Sequence, residues 1–209
     1  MPPHIWQVET TELIQAFESQ LQNTAAGTLI RWAVWTVDCL HYLDDLDREF
    51  DVTHSSFADH RPDVIDVAHA RWATGTCITA LDLCAATLGR AYCKNIGKRE
   101  YDLGYFDYRG NTSRSPIVDA RRDQLPLTAQ KWLDDVLADP DYEVIKNVRD
   151  WLTHSRVNRH FYLTIGGPPQ RLRLELSTGQ MQVRQIIELA RDLATKHVSI
   201  FLQNLMQFQ

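Results

Sequence analysis

The chain predicts an all-α helical bundle with one small β-hairpin before its last helix. Three observations carry that expectation. Apolar residues recur at i, i+3 and i+4 through most of the 209 residues. The stretch from Pro62 to about Cys93 is apolar almost all round in its second half, as suits a helix in the middle of a bundle. Period-two alternation is confined to about residues 160–177. A chain of this length supports one well-buried core, so residues 1–209 read as a single helical domain with a loop insertion at about 95–127.

Thr10 to Leu21 places Leu13, Ile14, Phe17 and Leu21 at helical spacing, with Thr10 or Thr11 as a cap. After a weak point at Asn23 to Gly27, Leu29, Ile30, Ala33, Val34, Val37, Leu40 and Leu43 predict a longer helix ending near Phe50. Pro62 suits the first turn of a third helix, continued by Val64, Ile65, Ala68, Trp72, Ile78, Leu81, Leu88 and Tyr92. Asp82, within Ala80-Leu81-Asp82-Leu83, is a partly buried acid that needs a partner; a structural hydrogen bond outweighs a catalytic role.

From Asn95 to Leu127, Gly97, Gly104, Gly110, Pro116 and Pro126 interrupt the pattern. Here Tyr101, Tyr105, Phe106, Tyr108 and Arg109 either stack on single-stranded bases or pin the loop to the bundle. Ser115-Pro116 starts one short helix within it. Thr128 to Ala138 reads as a helix, and Asp139-Pro140 starts another with Tyr142, Val144, Ile145, Val148, Trp151 and Leu152 on one face. Phe161 to Ile165 and Arg171 to Leu176 alternate around Gly166-Gly167-Pro168-Pro169-Gln170, the pattern of a hairpin with Leu172, Leu174 and Leu176 facing the protein. A last helix runs from about Gln180 through Val183, Ile187 and Phe201 to Leu205.

No apolar run approaches the ~20 residues that span a bilayer, and Met1 to Trp6 lacks the features of a secretory signal. A cytoplasmic protein without membrane association is the expectation. Cys39, Cys77, Cys84 and Cys93 lie in apolar helical stretches with no Cys-x-x-Cys pair, which favours buried free thiols over zinc or redox chemistry. A net charge of −5 disfavours coating nucleic acid with the whole surface but allows a local basic site.

Such a site is suggested by Val148-Arg149-Asp150-Trp151-Leu152-Thr153-His154, which ends a helix with an arginine and a histidine beside a basic stretch. A guanidinium is a permanent cation whose fork matches phosphate oxygens, and imidazole exchanges protons near neutral pH. The pair suits phosphodiester cleavage with no metal or other cofactor. Spacing alone decides nothing, because Arg48 to His54 and Arg191 to His197 are nearly the same. Only Arg149 to His154 combines a helix end, a polar residue after the arginine and a following basic segment. On an ideal helix the two side chains point about 140° apart, so they converge more naturally in a cleft shared with a second copy. Between Lys146 and Arg173 stand six cations, Lys146, Arg149, Arg156, Arg159, Arg171 and Arg173, against Asp150 as the only acid. This patch either steers phosphate or is a solvated hairpin face.

Arg149-Asp150-x-x-x-His154 on a late helix, followed by a turn or hairpin and a last helix, resembles the Arg-x4-6-His motif of the HEPN superfamily. The resemblance is clearest from about Pro140 to Leu205. It implies a metal-independent endoribonuclease of toxin–antitoxin or antiviral-defence systems, a homodimer with both motifs in one cleft, and RNA as substrate. By that resemblance Arg149 orients the scissile phosphate, His154 serves as general base or acid, and Asp150 positions them. Arg156, Arg159, Arg171 and Arg173 would hold the RNA. An antitoxin or regulatory protein is the further partner implied. One departure counts against pairing with a nucleotidyltransferase antitoxin: those toxins carry a tyrosine two residues after the histidine, where this chain has Arg156.

Two other classes stay open. A non-catalytic HEPN-like module binding nucleotide, RNA or a protein keeps the fold without turnover. A metal enzyme is the third, since Asp38-x-x-His41 and Asp66-x-x-His69 each put an acid and a histidine on one helical face near Asp44-Asp45-Leu46-Asp47, although no Glu-x-x-His occurs.

Overall fold

The 3.6-residue apolar period becomes helix nearly everywhere it occurs. The computed structural model describes residues 8–54, 62–93, 102–107, 115–154, 173–176 and 179–208. Within them lie α1 (Val8–Leu21), α2 (Thr24–His54), α3 (Pro62–Tyr92), α4 (Ser115–Arg122), α5 (Leu127–Leu137), α6 (Pro140–His154) and α7 (Val183–Gln203). Strands β1 (Arg173–Leu176) and β2 (Gly179–Gln182) form an antiparallel pair just before α7. The all-α bundle with a hairpin before the last helix is therefore what forms.

At 31 residues each, α2 and α3 run about 46 Å at ~1.5 Å per residue. They pack antiparallel, the His69–Asp47 hydrogen bond joining the start of α3 to the late part of α2. α7 lies against both, and α6 closes the bundle against α3 and α7. Small residues on α3, including Ala73, Cys77, Ala80, Cys84 and Ala85, are fully buried and let three neighbouring helices approach it. Burial pushes the Cys77 and Cys84 thiols far above their ordinary pKa, so they behave as apolar filling. Trp132 of α5 donates its indole N–H to the His197 carbonyl at 2.9 Å and meets Phe201 edge-on, ring centres 4.9 Å apart.

The weak point before α2 is a cap. Asn23 accepts the Ala26 amide through Oδ1 at 3.2 Å, and Gln22 takes the left-handed φ of 52° that turns the chain. Gly27 lies inside the helix, where a Cβ would come within 2.1 Å of the Glu18 carboxylate. That space is filled by the Glu18–Arg31 pair, two bonds of 2.6 and 2.7 Å.

In the long insertion the pinning alternative is the one observed for the described aromatics. Phe106 and Leu103 are buried, and Tyr105 carries the Arg121 guanidinium 3.5 Å above its ring. Buried Arg122 donates to the Phe106 carbonyl at 3.1 Å and pairs with Asp134. Tyr101, Tyr108 and Arg109 lie outside the described residues.

The hairpin register needs correction. Arg173 stands opposite Gln182 and Leu176 opposite Gly179, so the described partner of this strand follows it in sequence. Phe161 to Ile165 and the expected turn at 166–170 lie outside the described residues, as do the side chains of Leu174 and Leu176. The last helix begins at Val183 rather than near Gln180, where Gln182 donates its amide to Gln185 Oε1 at 2.9 Å. Only Met181 in β2 has a large apolar side chain, too weak a period-two signal beside the long apolar stripe of α7.

Candidate functional site

α6 is aimed by its first turn. Pro140 presets the helical φ, and Asp139 just before it accepts the Asp141 amide at 3.0 Å. The other Asp139 oxygen takes Lys196 at 2.7 Å and His197 Nε2 at 2.8 Å from α7. Burial would raise this carboxyl, but the Lys196 and His197 hydrogen bonds outweigh it and hold the pKa below the ordinary value. With its start fixed, α6 buries Ile145, Val148 and Leu152, which leaves Arg149 on the margin of the apolar stripe.

Arg149 donates from Nε and Nη2 to a single oxygen of Asp150, at 3.0 and 2.7 Å. Its side chain is 34% exposed and that of Asp150 is 41% exposed. The bond therefore occupies one edge of the guanidinium. Nη1 makes no hydrogen bond with the described residues, so the Nη1–Nη2 edge, which grips a phosphate bidentately, is engaged only through Nη2.

Behind the arginine lies Asp82 of α3. Arg149 does not pair with it directly; its hydrogen bond comes from the Leu103 amide at 2.9 Å, the structural role expected for this acid. Burial, with help from the Asp102 charge, lifts the Asp82 pKa to about 6 against the opposing pull of the Leu103 amide, Arg149 and Lys146. Lys146 itself sits 3.9 Å from Asp107.

Of the predicted site residues, Arg149 and Asp150 are brought together. His154 is the last residue of α6, but its side chain lies outside the described residues, as do Arg156, Arg159, Arg171 and the side chain of Arg173 on β1.

The similarly spaced Arg191 and His197 have other work. Arg191 pairs with Asp44 and Asp192, while His197 is buried and bonded to Asp139. Burial lowers the His197 pKa despite the facing Asp139 carboxylate, which favours a neutral ring with its proton on Nε2. In that tautomer the buried Nδ1, which has no hydrogen-bond partner among the described residues, is an unpaired acceptor rather than an unpaired N–H.

Two of the acids that suggested a metal are already paired. Asp44 takes Arg48, Arg184 and Arg191, and Asp47 takes His69 at 2.8 Å and Arg184 at 3.2 Å. His41 faces the Thr195 hydroxyl at 3.0 Å. Among the described residues no group of three or more histidine, cysteine or acidic side chains is placed to share a cation.

One surface feature was not read from the sequence. Trp32 and Trp35 of α2 and Trp72 of α3 are half-exposed around a groove of about 410 Å³ between the two helices. Trp72 thus belongs to the outer face, not the buried stripe to which its spacing assigned it. The usable signal is a repeated stripe, Trp32-x-x-Trp35-Thr36-x-x-Cys39 and Trp72-x-x-Gly75-Thr76-x-x-Thr79, every named member of which lines the groove.

The described fold and site define an all-α bundle with an arginine–aspartate pair near the end of α6. Comparison with protein-family models, curated proteins and solved structures gave no match to this chain. No helix among the described residues is long and apolar enough to cross a membrane.

Proposed function

We propose that the chain is a metal-independent endoribonuclease of the HEPN type, working in a toxin–antitoxin or antiviral setting. The observation that supports the reading best is Arg149. Asp150 holds one edge of its guanidinium and leaves Nη1 without a hydrogen bond among the described residues, five positions before His154 on the same helix.

In this reading a backbone phosphate rests on Nη1 of Arg149. His154 accepts the proton of the neighbouring 2′-hydroxyl as its oxygen attacks phosphorus, and the P–O5′ bond breaks. A proton delivered to O5′ by imidazolium, from the same histidine or its twin in a homodimer, releases a 5′-hydroxyl and leaves a 2′,3′-cyclic phosphate. Arg149 offsets the charge that builds on the phosphorane oxygens. Arg156, Arg159, Arg171 and Arg173 hold the flanking strand.

The non-catalytic module is the second reading, favoured by the capture of Arg149 by Asp150 and by the net charge of −5. Purified protein with single-stranded RNA in excess EDTA separates the two. Cyclic-phosphate ends are expected, and Arg149→Ala and His154→Ala are each expected to lower the rate at least ~100-fold. Binding without cleavage transfers the conclusion to the module, and cleavage that requires added metal defeats both.

A further inference from the structure

We propose that Lys146 joins Arg149 as a second cation holding a phosphodiester strand, and that the site takes up a proton on Asp82 as the strand binds. The inference rests on the reading of Arg149 as a phosphate-binding residue. It extends that reading to a lysine outside the Arg149–His154 motif and to an acid on another helix.

Lys146 and Arg149 stand three positions apart on α6, the spacing that puts two side chains on one face. Their side chains are 41% and 34% exposed, so a strand can reach both from solvent. Neither is fully engaged. The Lys146 ammonium sits 3.9 Å from Asp107, too far for a hydrogen bond, and Arg149 Nη1 has no hydrogen bond among the described residues. An ammonium is a compact point charge with rotatable donors, whereas a guanidinium is a rigid fork. The lysine therefore adds attraction and the arginine adds orientation.

The surroundings oppose an anion. Asp82 of α3, Asp102 and Asp107 of the 102–107 segment and Asp150 of α6 set four acids around these two cations. A phosphodiester brings one more negative charge, and the cluster accepts it most readily by neutralising one of its own. Asp82 is the acid placed to do so. Asp107 faces Lys146, Asp150 is bonded to Arg149, and Asp102 accepts the Tyr105 amide, contacts that favour their charged forms. Asp82 is held by the Leu103 amide at 2.9 Å, within range of both cations and of the Asp102 charge, and burial has already lifted its pKa to about 6. A phosphate beside it pushes the value higher, so the bound state keeps this proton to higher pH than the free state. On its own helix, Cys77 and Cys84 stay as thiols in this range. His154, at the end of α6, gains charge on acidification and adds a pH dependence of its own.

Binding of a short 2′-O-methyl RNA strand to the full chain tests the inference without turnover, because the attacking 2′-hydroxyl is blocked. Lys146→Ala is expected to weaken binding at least ~5-fold and to reduce the slope of log affinity against log salt by ~0.7, the loss of one phosphate contact on a single strand. Lys146→Arg should restore the slope. Asp82→Asn should bind at least ~5-fold more tightly than wild type at pH ~7.5 and within ~2-fold of it at pH ~5, since only the wild type must take up the proton. His154 is present in both chains, so the difference between them isolates Asp82. A Lys146→Ala slope equal to that of wild type, or equal affinities of Asp82→Asn and wild type at pH ~7.5, overturns the inference even where plain RNA is cleaved. Both effects without cleavage of plain RNA leave it standing and defeat the nuclease, and a wild-type chain that does not bind the strand defeats both.

Discussion

Asp82 shows how one burial sets a measurable pH dependence. Its folded pKa of about 6 lies above the ~3.9 of an unfolded aspartate, so between those values the folded state holds a proton that the unfolded state has released. Stability is therefore greatest below pH ~4 with respect to this group and falls as the pH rises through about 6. Asp82→Asn keeps an oxygen for the Leu103 amide and removes the charge. It is expected to stabilise the protein on the order of 2–3 kcal/mol at pH 8 and to change little near pH 3.5, read from urea unfolding at both values. His197 acts in the opposite sense. Its folded pKa is lowered, so its contribution is present above ~6.5 and lost as the pH falls toward the folded value. The Asn variant should consequently unmask a steeper acid decline than the parent shows. An identical pH profile in variant and parent would mean that the buried charge is not the source of the slope.

At the scale of the element, the α1–α2 corner turns on Gly27. Replacing a glycine inside a helix with alanine ordinarily gains ~1 kcal/mol. Here the new methyl would displace Glu18 and break its two bonds to Arg31, a pair on a partly exposed corner worth at most ~1 kcal/mol. Gly27→Ala in the wild-type chain is thus expected within ~0.5 kcal/mol of neutral, while the same change in a Glu18→Ala background should stabilise by ~1 kcal/mol. Equal effects in both backgrounds would show that the methyl and the ion pair do not compete. Local signals of this kind were legible in the sequence where they act locally. Pro62 and Asp139-Pro140 announced α3 and α6, and Ser115-Pro116 announced α4. Trp72 was misread because an aromatic at helical spacing looks the same whether its stripe faces a core or solvent. Arg149 and Asp150 were legible as members of one motif, but nothing in their spacing revealed that they bond to each other or which guanidinium edge stays open.

Across the whole molecule, three helices are tied by a charge network whose logic no local pattern contains. Asp44 and Asp47 on α2 bind Arg184 and Arg191 on α7, at sequence separations of 137 to 147, and Asp47 also holds His69 on α3. Read alone, the acidic run on α2 resembles a cation site; its cations arrive from the far end of the chain. The Asp44 side chain is only 4% exposed, and those of Arg184 and Arg191 are 15% and 19% exposed, so water screens these pairs weakly. Asp44→Ala would remove the carboxylate that Arg184 and Arg191 share, leaving Arg184 with Asp47 and Glu188 and Arg191 with Asp192, and is expected to cost on the order of 2–3 kcal/mol of unfolding free energy. Pairing it with Arg184→Met should recover part of that loss, with a coupling of at least ~1 kcal/mol in a double-mutant cycle. Because the network links α2, α3 and α7, the loss should appear as a lower urea midpoint for the entire helical signal, with no separate early phase. A stepwise transition in Asp44→Ala, with one helix melting before the rest, would show that the apolar contacts of α3 hold the bundle together without the clamp.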